Sequence, residues 1–506
     1  MATRTDKLIF YPWKCILLIS AQNYVIFFAM YSICSYLPQF MNELTKDPDS
    51  VGFDVGIAYA IFYTSECIGS GMISILVNYF GAKKCLVVFE LALSISFDIY
   101  GLSASKTWLF TSIAIVGFFT GVMVCLKILM KDICDDDNEE QIVSWCFGGP
   151  CMIGMALGPP LAGVISLPAI QYPRIFDKTG IFGRFPNLLV NSIFSVLTAI
   201  LSILTCLILP NDLPDYIQAE KAKNQDNFSE RGFYHQIHNV AVADSQTSES
   251  DADSQTSESD SVLTHVSCRF IGSTVEVQNS TIEAQNSTVH AILVNHIFRN
   301  PSALASIALF TLCLGLIDAY QVLLSLWLET KMELGGRDFS ANEVSIVMAV
   351  SGVILIVLNY TFLHRLHRWI KLKTLFSLSI LLSIPLLCCL PLVSNITKKI
   401  TFYILCSLFH SLLMIFFTII INTIQIFTQK CAPAESLPFI FAISNVTSYL
   451  ASALFTFMLS GVFAQSLTDV TKPHQFPLDY RLAFYISAFL ILLSHTPLPF
   501  VRVDVP

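Results

Sequence analysis

Asp318, Lys127, Glu66 and Asp98 stand inside long apolar runs of this 506-residue chain. A charge near the centre of a bilayer costs at least about 2.5–3.5 kcal/mol, so ionisable residues in such places are functional candidates. Asp318 falls midway along its run. A carboxylate held in a water-poor cavity can take up and release a proton, because loss of water penalises its anion. Lys127 could pair with Asp318 or hold an anionic group of a solute; alternatively it snorkels to the surface beside Lys131 and Asp132. Ser65, Gly69, Ser70 and Ser74 surround Glu66 on its helix and turn it toward protein. Asp98 lies near the end of its run, where partial hydration makes a charge cheap.

Neutral polar residues share these runs: Gln22, Asn23, His410, Asn422, Gln425, and Tyr320 beside Asp318. They could contact a solute or join helices by hydrogen bonds. His235 and His238 would make only two ligands of a metal site, so no metal is expected. A phosphate-cradling loop and an H-E-x-x-H pair are both missing from the sequence, and neither a cofactor nor catalysis is expected.

These side chains need elements to carry them, and the composition says which. Hydrophobic residues make up 54% of the chain and charged ones 13%, with a mean hydropathy of +0.64. Soluble domains carry about 25% charged residues, which excludes that class here. A net charge of −8 with no basic patch excludes a nucleic-acid partner. Most of the 15 cysteines lie within apolar runs and none forms a C-x-x-C pair, so they read as small hydrophobes.

A membrane span needs about 20 apolar residues, and in lipid it must be helical to pair its own backbone. Six such runs precede residue 211, near 15–41, 54–80, 85–104, 107–130, 142–168 and 187–210. Six more follow residue 299, near 301–329, 341–363, 372–393, 400–428, 438–464 and 479–500. The first run is too long for a cleaved leader and is expected to be retained. The predicted fold class is therefore an all-α polytopic membrane protein of two six-helix bundles, residues 15–210 and 300–500. A polar N-terminus (1–14) and a short tail (501–506) flank them. The stretch 211–299 between the bundles repeats Asp-Ser-Gln-Thr-Ser-Glu-Ser-Asp at 244–251 and 253–260, and its composition predicts a disordered loop. A phosphoregulated tether is the functional alternative for that loop.

Short motifs carry a resemblance. Gly149, then Gly158-Pro159-Pro160 and Gly163, resemble the fifth-helix antiporter motif of the major facilitator superfamily, with Ala162 in place of one glycine. Small residues there permit close helix approach, and the prolines bend the span. Pro168, Tyr172-Pro173, Phe176 and Ile181-Phe182-Gly183-Arg184-Phe185-Pro186 look like the zinc-induced-facilitator-like branch, related to drug:proton antiporters. Similar to it too are Leu126-Lys127 with Asp132, and Ser325-Leu326-Trp327 with Gly335-Gly336 and Phe339-Ser340. The sequence departs from the pattern elsewhere. The loop after the second span keeps Gly81, Lys83 and Lys84 but has Asn78 and Tyr79 where relatives carry Asp and Arg. Ile113 replaces the fourth-helix Arg, with Gly117 and Gly121 retained, and Leu437-Pro438 replaces Arg-Gly.

The resemblance implies a secondary-active transporter of a small organic solute working by alternating access, with proton-coupled antiport as its mode. The departures leave an uncoupled uniporter, or a non-transporting scaffold acting through the central loop, as alternatives. Expected partners are a small-molecule solute, protons and membrane lipid, with the chain as a monomer. The expected location is the plasma membrane or an endolysosomal or vacuolar membrane, with both termini cytosolic. Lys83 and Lys84, and the basic stretch from His364 to Lys373, suit a cytosolic face, although Arg174, Lys178, Arg184, Lys398 and Lys399 nearly balance them on the other. This orientation predicts that Asn279 and Asn286, both in N-x-T sequons, stay unmodified. Glycosidase treatment of protein from eukaryotic cells should leave its gel mobility unchanged; a shift would put the central loop on the opposite side.

Overall fold

The computed structural model describes residues 12–45, 51–134, 142–211, 213, 215–219, 300–358, 366, 370–396, 398–431, 437–467 and 479–501. The chain divides into two units, Met1–Leu213 with Ile297–Pro506, and Pro214–His296. In the second unit only a helical turn over 215–219 is described. The expected disorder of 211–299 therefore lies almost wholly outside the described residues.

Twelve principal helices make up the described part of the first unit. The first six are α1 (Trp13–Thr45), α2 (Val51–Phe80), α3 (Ala82–Gly101), α4 (Lys106–Asp132), α5 (Gly149–Ile165) and α6 (Leu188–Ile208). The second six are α7 (Pro301–Glu329), α8 (Ala341–Leu358), α9 (Leu372–Cys389), α10 (Lys399–Lys430), α11 (Leu437–Leu467) and α12 (Leu482–Leu493). Ten helices among the described residues are long and apolar enough to cross a membrane. Of the other two, α3 carries Lys83, Lys84, Glu90 and Asp98, and α8 is a shorter apolar helix. The sequence boundaries shift by a few residues: α3 starts three residues before the expected run, and a π-helical turn, Ser144–Gly148, precedes α5.

The helices are apolar outside and partly polar inside. On α6, Asn191, Ser195, Thr198, Ser202 and Thr205 are buried, whereas Val196, Ile200, Ile203 and Leu207 are exposed. Lipid tails are as apolar as leucine, so burying leucine gains nothing; small and hydroxyl-bearing residues pack helices instead. Their hydroxyls are satisfied locally, as in Thr205 Oγ1 to Leu201 O at 2.8 Å, or across helices, as in Ser202 Oγ to Val87 O at 3.0 Å.

The prolines and glycines of α5 serve the same end. Two carbonyls at the proline pair accept side-chain donors from neighbouring helices. Ser32 of α1 donates to Gly158 O at 3.0 Å, and Ser345 of α8 donates to Pro159 O at 2.9 Å. The motif thus sets α5 between a helix of its own half and a helix of the other.

Helices α2 and α4 approach most closely at glycines. A Cβ on Gly69 would lie 1.9 Å from Phe118 O, and one on Gly121 would lie 2.5 Å from Ser70 N. Gly71, two residues from Gly69, faces open space. Gly69→Leu must therefore force α2 and α4 apart, a loss of about 1–3 kcal/mol or more. We expect it to lower the thermal midpoint or the yield of monodisperse purified protein, with Gly71→Ala at wild-type values. Equal behaviour of the two variants would contradict this packing.

Candidate functional site

Two of the bonds that join the two halves fall on buried ionisable residues. Asp318 of α7 is 4% exposed and accepts from Tyr31 of α1 at 3.2 Å and from Ser452 of α11 at 2.8 Å. Each carboxylate oxygen takes one donor, Tyr31 on Oδ1 and Ser452 on Oδ2. Lys127 of α4, 3% exposed, donates to Asn445 Oδ1 of α11 at 2.5 Å. Its ammonium also lies over the rings of Phe147 (4.3 Å) and Phe310 (5.2 Å), so both halves supply faces for the charge. Glu66 of α2 is fully buried, and neither carboxylate oxygen has a hydrogen-bond partner. The hydroxyls of Tyr449 and Thr120 and the charges of Asp318 and Lys127 surround it. Thr120 spends its hydroxyl proton on Gly117 O at 2.6 Å, and Tyr449 makes no bond of normal geometry to Glu66.

The expected direct pairing of Lys127 with Asp318 is not formed. Lys127 turns to Asn445 and the rings, while Asp318 is held by hydroxyls, with Cys151 of α5 near both. Snorkelling of Lys127 to the surface is also ruled out by its burial. The sequence reading passed over Tyr31, Asn445, Tyr449 and Ser452. Asn445, Tyr449 and Ser452 recur at helical spacing on α11, and that stripe of polar residues at i, i+4 and i+7 was the available signal.

Other candidates lie elsewhere. Asp98 accepts from Ser192 and Ser195 of α6 at 2.7 Å each, so it fastens α3 to α6 within the first half and does not join the central group. Gln22 donates to Thr205 and, at 3.3 Å, to Glu90, a buried carboxylate of α3 that the sequence reading overlooked. Asn23 donates to Ile19 O of its own helix at 3.1 Å. Tyr320 and His410 meet within the second half, with the hydroxyl 3.0 Å from Nδ1. Gln425 is buried with neither side-chain polar atom partnered.

Several motif residues hold loops. Trp327 Nε1 donates to Gly335 O at 3.1 Å, and Gly335 takes φ +88°, a left-handed turn that favours glycine. That turn delivers Arg337, whose Nη2 donates to the carbonyls of Val393, Ser394 and Ile396 in and just after the 3-10 segment Leu390–Asn395 that follows α9. Leu167 N donates to Pro186 O at 3.1 Å, closing the loop that contains Gly183, Arg184 and Phe185. Lys83 donates to Asn211 Oδ1 at 3.1 Å. Asn78 lies on α2, and its side chain falls outside the described residues, as do those of Leu437 and Pro438.

A cavity of about 430 Å³ opens at the end of the helices away from Trp13. Pro38 and Gln39 of α1, Gly52 of α2, Leu326 and Glu329 of α7 and Ala464 of α11 line it. Leu326 stands eight residues beyond Asp318, a rise of about 12 Å along the helix. The ionisable group is therefore buried below the cavity and does not line it. Among the described residues no group of three or more His, Cys, Asp or Glu could hold a metal.

Comparison with known proteins agrees with this architecture. Residues 20–456 match the Major Facilitator Superfamily. A probable peptide/nitrate transporter of Arabidopsis thaliana is 24% identical over 70% of this chain and 63% of its own length. The protein ZINC INDUCED FACILITATOR 1 of the same plant is 22% identical over 61% of this chain and 55% of its own. The chain thus spans less than two thirds of the length of these relatives. The human organic anion transporter TETRAN has a similar fold, with a TM-score of 0.58 and 11% identity, covering 97% of this chain and 100% of that one. Twelve principal helices among the described residues, in two sets of six, and a family match across most of the sequence lead to one conclusion: this chain belongs to the Major Facilitator Superfamily.

Proposed function

We propose that the protein is a secondary-active transporter that moves a small organic solute by alternating access, in exchange for protons. The observation that carries this reading is the set of polar bonds between the halves. Tyr31–Asp318 joins α1 to α7, and Lys127–Asn445 joins α4 to α11. Helices of two rocking bundles must part at these points to admit a solute from one face and close on it before opening to the other. Ionisable residues make such a seam sensitive to protons, since adding or removing one charge alters which bonds hold. The cavity above the seam supports the same reading: one end stands open while the group beneath it is closed off.

Proton exchange assigns roles to particular side chains. Asp318 works as a latch, whose hydroxyl contacts release when the halves separate. Lys127 supplies the positive charge that keeps a neighbouring carboxylate in play. No ATP-binding module is present in the sequence, so uphill movement must draw on an ion gradient. The cytosolic orientation of the termini, and action as a monomer, belong to the same proposal.

Purified protein in liposomes tests it. With an imposed pH gradient and a panel of small organic solutes, uptake should follow the gradient and collapse when a protonophore dissipates it. Asp318→Asn should lower the proton-driven rate at least about tenfold, equivalent to about 1.4 kcal/mol of lost coupling. Uptake of the same solute at one rate with and without the gradient would mean uniport. No uptake of any solute would remove the transport reading.

A further inference from the structure

We propose that the loop between α5 and α6 is a docking site for anionic phospholipid in the leaflet at the cavity end. The proposal concerns the surrounding bilayer and does not depend on the transport reading above. Trp145, just before α5, stacks on Trp13 at the start of α1, with ring centroids 5.3 Å apart. The other end of α5, at Ile165, therefore lies at the cavity end, and residues 167–186 lead from there to α6.

This loop is closed on itself. Leu167 N donates to Pro186 O at 3.1 Å, and Leu167 is held at φ +52°, a left-handed conformation that a bulky residue adopts only under constraint. A Cβ on Gly183 would lie 2.0 Å from Lys178 O, so the chain folds back there and brings the backbone of Lys178 against that of Arg184's neighbour. The loop carries three cations, Arg174, Lys178 and Arg184, and one carboxylate, Asp177, all of them exposed. Asp177 accepts from Thr179 N at 3.2 Å and from Thr179 Oγ1 at 2.6 Å. The guanidinium of Arg184 lies over the Phe185 ring at 5.5 Å. Among the described residues none of the three cations forms an ion pair. A fold that gathers cations and gives them no anion leaves their charge for a group from outside.

Apolar side chains beside these cations say where that anion sits. Ile175 is 75% exposed and Ile181 is 56% exposed. Tyr172 turns its hydroxyl back to Val164 O at 3.0 Å. Val164 and Leu161 are exposed on the outer side of α5, so Tyr172 lies along that side at the end of the span. Tyrosine favours this depth, because its ring is apolar and its hydroxyl polar. In the headgroup layer the isoleucines reach acyl chains while the neighbouring cations stay among phosphates. A choline headgroup brings its own ammonium, which opposes these cations; a headgroup of net negative charge does not. Each Lys or Arg beside an anionic surface strengthens binding about fivefold. The chemistry recognised is the phosphodiester of an anionic phospholipid.

The test uses full-length protein in phosphatidylcholine nanodiscs doped with a trace of photoreactive lipid, its diazirine placed near the glycerol. Two probes are compared, phosphatidylglycerol and phosphatidylcholine, and crosslinked peptides are quantified by mass spectrometry. Phosphatidylglycerol should label residues 168–186 at least about tenfold more than phosphatidylcholine does, and raised salt should remove most of that excess. Lys178→Gln should lower the excess about fivefold. Arg174→Gln, Lys178→Gln and Arg184→Gln together should bring the two probes level, with labelling of the outer face of α6 unchanged as the check on folding. Ile175→Ser with Ile181→Ser should lower loop labelling by both probes. Soluble glycerol phosphate should not compete, since it lacks the acyl chains that the isoleucines meet. Equal labelling of the wild-type loop by the two lipids, an undiminished excess in the folded triple variant, or displacement by glycerol phosphate would overturn the proposal. Should the triple variant fail to fold, the ratio of the two probes in wild type and in Lys178→Gln decides.

Discussion

Charge inside a bilayer must be either solvated by protein or neutralised, and the arrangement between the two halves follows from that requirement. Lys127 and Asp318 are solvated, each by groups that come from the opposite half as well as its own: Asn445 and Phe310 for the lysine, Tyr31 for the aspartate. The price of keeping these residues in the membrane is therefore a seam that closes only when the halves meet. A purely apolar seam would have no reason to part. A seam of charges with no partners would not close. Hydroxyls and an amide on α11 are set against ionisable residues on α4 and α7, while Glu66 on α2 is left without a hydrogen bond.

The rest of the fold keeps that seam in register. Close approach of α2 and α4 through Gly69 and Gly121 places Glu66 and Lys127 on neighbouring helices of the first half. The carbonyls around Pro159 tie α5 to α1 and α8, so the second half is docked through backbone as well as side chains. At the other level, Arg337 gathers three carbonyls of the segment that follows α9, and Trp327 fixes the turn that delivers it. The contacts of Arg337 and Trp327 lie within the second half. The cavity lies between them and the seam, lined by both halves.

Much of this was legible in the sequence. Apolar runs located the helices because lipid imposes both length and helicity, and Glu66, Lys127 and Asp318 stood out as charges in the wrong solvent. Their partners did not stand out. Asn445, Tyr449 and Ser452 are ordinary polar residues in a helix that contains many, and only the packing of α11 against α2 and α7 shows their use. Asp98 misled for the same reason: its donors, Ser192 and Ser195, lie nearly a hundred residues away in sequence, so its satisfaction within the α3–α6 seam could not be read locally. Glu90 escaped notice in a run that also carries Asp98, although its carboxyl is buried against Gln22. The loop motifs pointed to kinship; the structure shows that Trp327, Gly335 and Pro186 serve turns.

The central claim is that the seam opens at one end as it closes at the other. Pulsed electron–electron distance measurements test it most directly, with spin-labelled non-canonical residues avoiding the native cysteines. One pair, at Asn42 and Glu333, spans the cavity end; a second, at Lys84 and Lys371, spans the opposite end. Lowering the pH should shorten one distance distribution while lengthening the other. Both pairs unchanged, or both moving in the same sense, would contradict it.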